Sequence, residues 1–178
     1  MNHFQYKGNE LFAEDVAIKD IAAKVGSPVY IYSHATLERH YKAFDNAFAT
    51  MPHTICYSVK ANSTQSVLKT FIKLGGGVDI VSGGELFRAL KAGVNPKKVV
   101  YSGVGKKDDE IEYSLNTGIL MFNVESEQEL TRLSEIATRM GKKAGIAIRV
   151  NPDVDPGTHP YITTGLKNAK FGITIERA

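Results

Sequence analysis

Apolar residues along the chain follow two alternating periods. Short, nearly unbroken apolar runs recur at ICYSV (55–59), GVDIV (77–81), KVVYSG (98–103), ILMFNV (119–124) and AGIAIRV (144–150). Runs of this length and β-branched content predict strands, and their lack of alternation predicts strands buried on both faces. Between them lie segments of helical period. STQSVLKTFIKLG turns Val67, Leu68, Phe71 and Ile72 to one side, and GGELFRALKAG follows the second strand. DDEIEYSLNTG opens on an acidic turn, which suits the positive end of a helix dipole. SEQELTRLSEIATRMG opens on the capping pair Ser126 and Glu129 and keeps Leu130, Leu133, Ala137 and Met140 together. Upstream, ATLERHYKAFDNAFATM places Leu37, Tyr41, Phe44 and Phe48 on one helical face.

Residues 1–34 fall outside this rhythm. They predict a short strand near Leu11–Phe12, a helix over Ile18–Val25 stopped by Gly26 with Pro28 beyond, and a further strand at VYIYS. From residue 35 strands begin about every 20 to 27 residues with a helix between each pair. Such alternation predicts a parallel sheet covered by helices, either open or closed into a barrel. Five strands after residue 50 are fewer than the eight of a closed barrel. The expectation is therefore an open five-stranded sheet or a piece of a larger barrel. Residues 151–172, NPDVDPGTHPYITTGLKNAKFG, form a long Pro-, Gly- and Thr-rich stretch after a strand's carboxyl end, where parallel α/β folds place their sites.

Composition narrows the classes. The 178 residues suffice for one domain with a real core, and the formal net charge of +3 comes from basic residues spread along the chain. That spread gives no nucleic-acid footprint, and the pairs Lys97–Lys98 and Lys106–Lys107 read as solvated charges, the alternative being a phosphate-facing patch. No apolar run is long enough to span a bilayer, and the N-terminus lacks a signal-peptide core. One cysteine, Cys56, excludes an internal disulfide and suits a reducing compartment, so a cytoplasmic location is expected.

Candidate chemistry gathers at the strand ends. Lys60 closes the run ICYSV; an amine held there and partly desolvated can lose its proton and attack a carbonyl, while the alternative is a snorkelling surface lysine. Asp79 stands between Val78 and Ile80, where a carboxylate needs a cation or several donors. Gly75 to Gly77 before it permit a helix stop, a tight turn or close approach by a ligand. Ser82 and Glu85 open the next helix. Arg149, at the end of AGIAIRV, can hold an anion or carboxylate. His159 is either a base or a turn residue, and Cys56 reads as a small core residue. Gly83–Gly84 and Gly103–Gly105 complete neither nucleotide fingerprint, and the histidines lack metal-ligand spacing.

YSVKAN around Lys60, GGGVDIVSGGEL around Asp79 and Glu85, YSGVGK over 101–106 and RVNPDVDPGTHPYITTGLKNAKFG over 149–172 together resemble the diaminopimelate decarboxylases, in order and over the whole chain. Ornithine and arginine decarboxylases share the lysine and aspartate motifs but match the last stretch less well, and alanine racemases are more distant. The resemblance implies an α/β fold: the N-terminal part of a (β/α)8 TIM-like barrel over residues 35–178, preceded by residues 1–34 as a segment of a separate β domain. It implies pyridoxal 5'-phosphate as cofactor and a carboxy-lyase that converts meso-2,6-diaminopimelate to L-lysine and CO2. By motif, Lys60 is the Schiff-base lysine, and Asp79, Arg149 and Glu85 are cofactor-binding residues. The family forms homodimers, so a homodimer acting on a small amino acid is implied, with neither nucleic acid nor membrane as partner. The family's stacking histidine, glycine-rich phosphate loop, pyridine-facing glutamate and partner-borne cysteine have no counterpart in residues 1–178. The expectation is that this polypeptide alone is incomplete, with little or no activity. Alternatives are a decarboxylase of another basic amino acid, a racemase, a non-enzymatic pyridoxal-phosphate-binding barrel, or a structural domain with Lys60 at the surface.

Overall fold

The computed structural model describes residues 2–154, 157, 159 and 171–178. Much of the 151–172 stretch therefore lies outside the described residues. The chain divides into two compact units, Met1–His53 with Lys73–Gly75, and Thr54–Ile72 with Gly76–Ala178.

The first unit opens with three strands, β1 (Phe4–Lys7), β2 (Glu10–Ala13) and β3 (Val16–Ala17), in an antiparallel sheet of order β1-β2-β3. Helix α1 (Ile18–Val25) stops where predicted, at Gly26, whose N–H closes the last helical bond to the Ala22 carbonyl and whose positive φ of 83° then turns the chain out of the helix. Helix α2 (His34–Ala47) starts at Ser33, whose hydroxyl accepts the Thr36 N–H at 3.0 Å. The strand expected at VYIYS is absent: Val29–Ser33 joins no sheet, and Tyr30 is 89% exposed. Strand propensity expresses packing against a neighbouring strand, and this segment has none among the described residues.

The second unit follows the βα rhythm. Its elements are β4 (Cys56–Ser58), α3 (Gln65–Lys73), β5 (Gly77–Ile80), α4 (Gly83–Ala92), β6 (Val99–Tyr101), α5 (Asp108–Thr117), β7 (Met121–Val124), α6 (Glu127–Arg139) and β8 (Ile146–Ile148). β9 (Val150–Asn151) then pairs in parallel with β10 (Ile173–Thr174). The five-stranded sheet is parallel throughout and runs β4-β5-β6-β7-β8 without reversal. A doubly wound open sheet reverses its order to place helices on both faces. Unreversed order with right-handed crossovers puts every helix on one face, as in a (β/α)8 barrel, of which this sheet is a part.

The core confirms that one-sidedness. Val78, Ile80, Val99, Tyr101, Phe122 and Val124 from the strands pack with Leu86, Ile111, Leu133 and Ile136 from the helices, all at most 2% exposed. Each such aliphatic or phenylalanine side chain contributes about 1.5–3 kcal/mol by burial. The alternate strand positions, among them Ser58, Asp79 and Asn123, point to the other face. Gly77 is required by close approach between strands rather than by a ligand: a Cβ there would lie 2.0 Å from the Lys98 carbonyl oxygen. Gly75 supplies the turn, with φ of 94°.

Candidate active site

β4 ends at Ser58, and a single 3-10 turn, Val59–Ala61, carries the chain away. Val59 is buried in the core, and the turn sends Lys60 to the opposite side. Lys60 is exposed, so the partial desolvation expected of it is not supplied by the residues described. It lines a cavity of about 400 Å³ together with Asp79, Ser102, Asn123, Ala147, Ile148 and Arg149. These come from the carboxyl ends of β4 to β8 or the residues just after them. The volume lies within the range of small-ligand sites.

Asp79 is half-buried, and its demand for donors is met by hydroxyls. Ser58 Oγ donates to Oδ2 at 3.2 Å, and Ser102 Oγ donates to Oδ1. Asn123 Nδ2 donates to Ser102 Oγ at 2.8 Å. Arg149 is held from behind by Glu125: its Nη1 lies 3.1 Å from both carboxylate oxygens, and the Glu125 side chain is only 1% exposed. Glu125 Oε1 also accepts the Gly103 N–H at 2.8 Å, and the Arg149 guanidinium lies 4.8 Å from the Phe171 ring centre. One buried carboxylate thus fixes both an arginine and the loop after β6.

Glu85 does not line this cavity. Its carboxylate accepts the Val81 N–H at 2.8 Å, while Ser82 Oγ accepts the Glu85 N–H at 3.2 Å. It closes the N-terminus of α4. Lys106, expected to be solvated, is corrected: its side chain is 1% exposed. Its Nζ donates to the Gly103 carbonyl at 2.6 Å, the Asn123 carbonyl at 2.9 Å and Glu129 at 2.6 Å. Lys107 beside it is exposed, as expected. Burial, and next the charge of Asp79, push the Cys56 thiol up, which leaves it a neutral strand residue. His159 is exposed. No cluster of metal-ligating side chains occurs among the described residues.

Sequence reasoning missed Ser58, Ser102, Asn123 and Glu125. Each sits at or just past the end of a strand already recognised, and each breaks an apolar run with a polar residue on the face away from the helices. That was the signal available for finding them.

The fold is that of a β/α-barrel segment with a polar cavity at the carboxyl ends of its strands. The chain belongs to the pyridoxal-dependent decarboxylases: residues 34–178 match that family's pyridoxal binding domain. It is 55% identical to the diaminopimelate decarboxylase of Vibrio cholerae over its whole length, which is 43% of the length of that relative. The crystal structure of diaminopimelate decarboxylase from M. jannaschii in co-complex with L-lysine superposes with a TM-score of 0.89 at 35% identity, over 98% of this chain and 42% of that one. An ornithine decarboxylase from Entamoeba histolytica is less similar, with a TM-score of 0.58 and 27% identity over 65% of this chain and 32% of that one. The chain therefore spans less than half the length of the curated relatives it matches.

The donor set fits a pyridoxal group. One cavity is lined by a lysine amine, by a carboxylate that accepts from two serine hydroxyls, and by a guanidinium braced by a buried glutamate, groups suited to an aldehyde and an anionic substituent.

Proposed function

We propose that the full-length protein is a pyridoxal-phosphate-dependent decarboxylase that converts meso-2,6-diaminopimelate to L-lysine and CO2. The single observation that carries the proposal is the convergence of Lys60, Asp79 and Arg149 on one cavity at the strand ends of a chain 55% identical to a diaminopimelate decarboxylase. The lower likeness to the ornithine enzyme favours diaminopimelate over ornithine as substrate.

When bound, the cofactor supplies an electron sink that makes loss of CO2 from an α-amino acid feasible. Lys60 would supply the amine that holds the cofactor's aldehyde in this cavity. Asp79, held by the Ser58 and Ser102 hydroxyls, places its carboxyl group on the same cavity wall. Arg149, braced by Glu125, offers its outward N–H groups to an anion. Glu85 supports the site by holding the Val81–Ser82 turn that follows Asp79. A homodimer in the cytoplasm completes the proposal, supported by the family resemblance and by the single cysteine.

Borohydride treatment of the cofactor-loaded protein, followed by peptide mapping, is expected to label Lys60. Incubation with meso-diaminopimelate, ornithine and arginine in turn is expected to release L-lysine and CO2 from the first only, and K60A is expected to lose turnover. Labelling elsewhere with turnover intact would overturn the assignment.

A further inference from the structure

A row of polar side chains crosses the cavity face of the sheet. Ser58 and Asp79 are register partners on β4 and β5. Ser102 lies one residue beyond the Ile80–Tyr101 pair, its N–H bonded to the Ile80 carbonyl at 2.8 Å. One residue beyond the Tyr101–Phe122 pair, it stands opposite Asn123 on β7. The side chains of these four residues make one continuous chain of hydrogen bonds, Asn123 to Ser102 to Asp79, with Ser58 closing the other side.

The chain has a direction. A hydroxyl has one proton to give. Because the Asn123 amide donates to the Ser102 oxygen, the Ser102 proton is left for Asp79. Were the Asn123 carbonyl turned inward instead, Ser102 would spend its proton there and present a lone pair to a carboxylate, acceptor against acceptor. Asp79 is thus clamped with one hydroxyl proton on each oxygen, and its rotation about the terminal bond is blocked. All four residues rise from rigid strands or their first following residue, which is where precise placement is available.

We infer that Ser102 is a positioning residue that orients Asp79 toward the ligand cavity, and that Asn123 acts through Ser102 by setting the direction of its hydroxyl proton. This rests on the reading of the cavity as the pyridoxal phosphate site. Neither residue need touch the ligand's reacting atoms for the effect; their action passes through the carboxylate.

The test is the dissociation constant of the full-length protein for pyridoxal phosphate, from titration of its visible absorbance, in wild type, S102A, S102T, N123A, D79A and the double variants. A hydrogen bond to a charged group governs roughly a tenfold or greater change in affinity. S102A is expected to weaken binding by about that factor, and S102T to restore it. N123A is expected to lose less and to add nothing in the S102A background. S102A is expected to add nothing in the D79A background. An S102A protein with wild-type affinity, or one whose loss persists unchanged without Asp79, would overturn the inference. Should S102A fail to fold, N123A alone and combined with D79A carries the same comparison, and equal losses in both backgrounds would refute it. Failure of the wild type to bind pyridoxal phosphate would instead overturn the functional reading, and the inference with it.

Discussion

Two adjacent lysines with the same local composition have opposite fates. Lys107 is exposed, whereas the Lys106 side chain is 1% exposed and bonded to two backbone carbonyls and to Glu129. Breaking a buried ion pair leaves the remaining charge and its acceptors unpaired, which costs about 3–5 kcal/mol. K106M is therefore expected to lower unfolding free energy by about that amount, while K107A stays within about 0.5 kcal/mol. Denaturant unfolding of the full-length variants measures both. A similar argument applies to Glu125, whose carboxylate serves Arg149 and the Gly103 N–H. E125Q keeps an acceptor but loses the charge, so it is expected to cost about 2 kcal/mol and to weaken pyridoxal phosphate binding through a loosened Arg149. Chemically, the sequence made Lys60, Asp79 and Arg149 visible because each is a charge set against an apolar strand. It hid the fate of Lys106 because its partner, Glu129, lies 23 residues away and reaches it only through the βα crossover.

Successive helices of the barrel segment are started by one device. Glu85, Glu110 and Glu129 each stand in the first turn of a helix and reach back to a backbone N–H, of Val81, Lys107 and Glu125 respectively. In α4 and α6 a serine at the helix start accepts the glutamate's own N–H. The Ser126–Glu129 pair was legible in the sequence, as were the Gly26 stop of α1 and the acidic opening of α5. These signals are local and need no partner element. Glu85 as a cap gives a discriminating expectation: E85A costs about 1 kcal/mol in stability, and E85Q, whose amide oxygen still accepts the Val81 N–H, leaves pyridoxal phosphate affinity unchanged. Unfolding and titration of the two variants test this. Helix α2 uses a carboxylate from the antiparallel unit instead. Glu14 Oε1 accepts from Ser33 Oγ at 2.7 Å and from the Ala35 N–H at 2.9 Å. The Ser33 hydroxyl first, and then the Ala35 N–H, hold its carboxyl below the ordinary value of 4.5. A depressed carboxyl stabilises the fold above its unfolded pKa, and that contribution disappears as pH falls through the folded value. Wild type is expected to lose stability below about pH 4.5 more steeply than E14Q, as thermal unfolding across the acid range would show. VYIYS marks the limit of such local reading, because a strand exists only where another strand accepts its hydrogen bonds.

At the scale of the whole molecule, the repeating βα rhythm announced a parallel sheet, and the strand order chose between the two architectures the rhythm allowed. That order is a tertiary fact, decided by which neighbours each strand pairs with, so no count of apolar runs supplies it. The same sheet carries an exposed apolar patch on its last strand. Ile146 and Ile148 are register partners of Phe122 and Val124. Yet they are 44% and 42% exposed, where Phe122 and Val124 are 1% and 0%. Together the two isoleucines make an apolar patch on β8, the last strand of the five-stranded sheet. Sheet edges bordered by apolar side chains are templates for association. A polypeptide of residues 1–178 expressed by itself is therefore expected to self-associate and to bind a hydrophobic dye. Replacing both isoleucines by threonine keeps β propensity while removing apolar area, and is expected to raise the monomer fraction. Sedimentation velocity on the two polypeptides decides the matter: a monomeric, dye-silent wild-type polypeptide would show that the patch is covered by other means. If association falls with the threonine pair, the patch is the adhesive surface. A loss of stability from the same substitutions in the full-length protein would then show that this face is covered there, since a buried apolar side chain loses transfer free energy when it becomes polar.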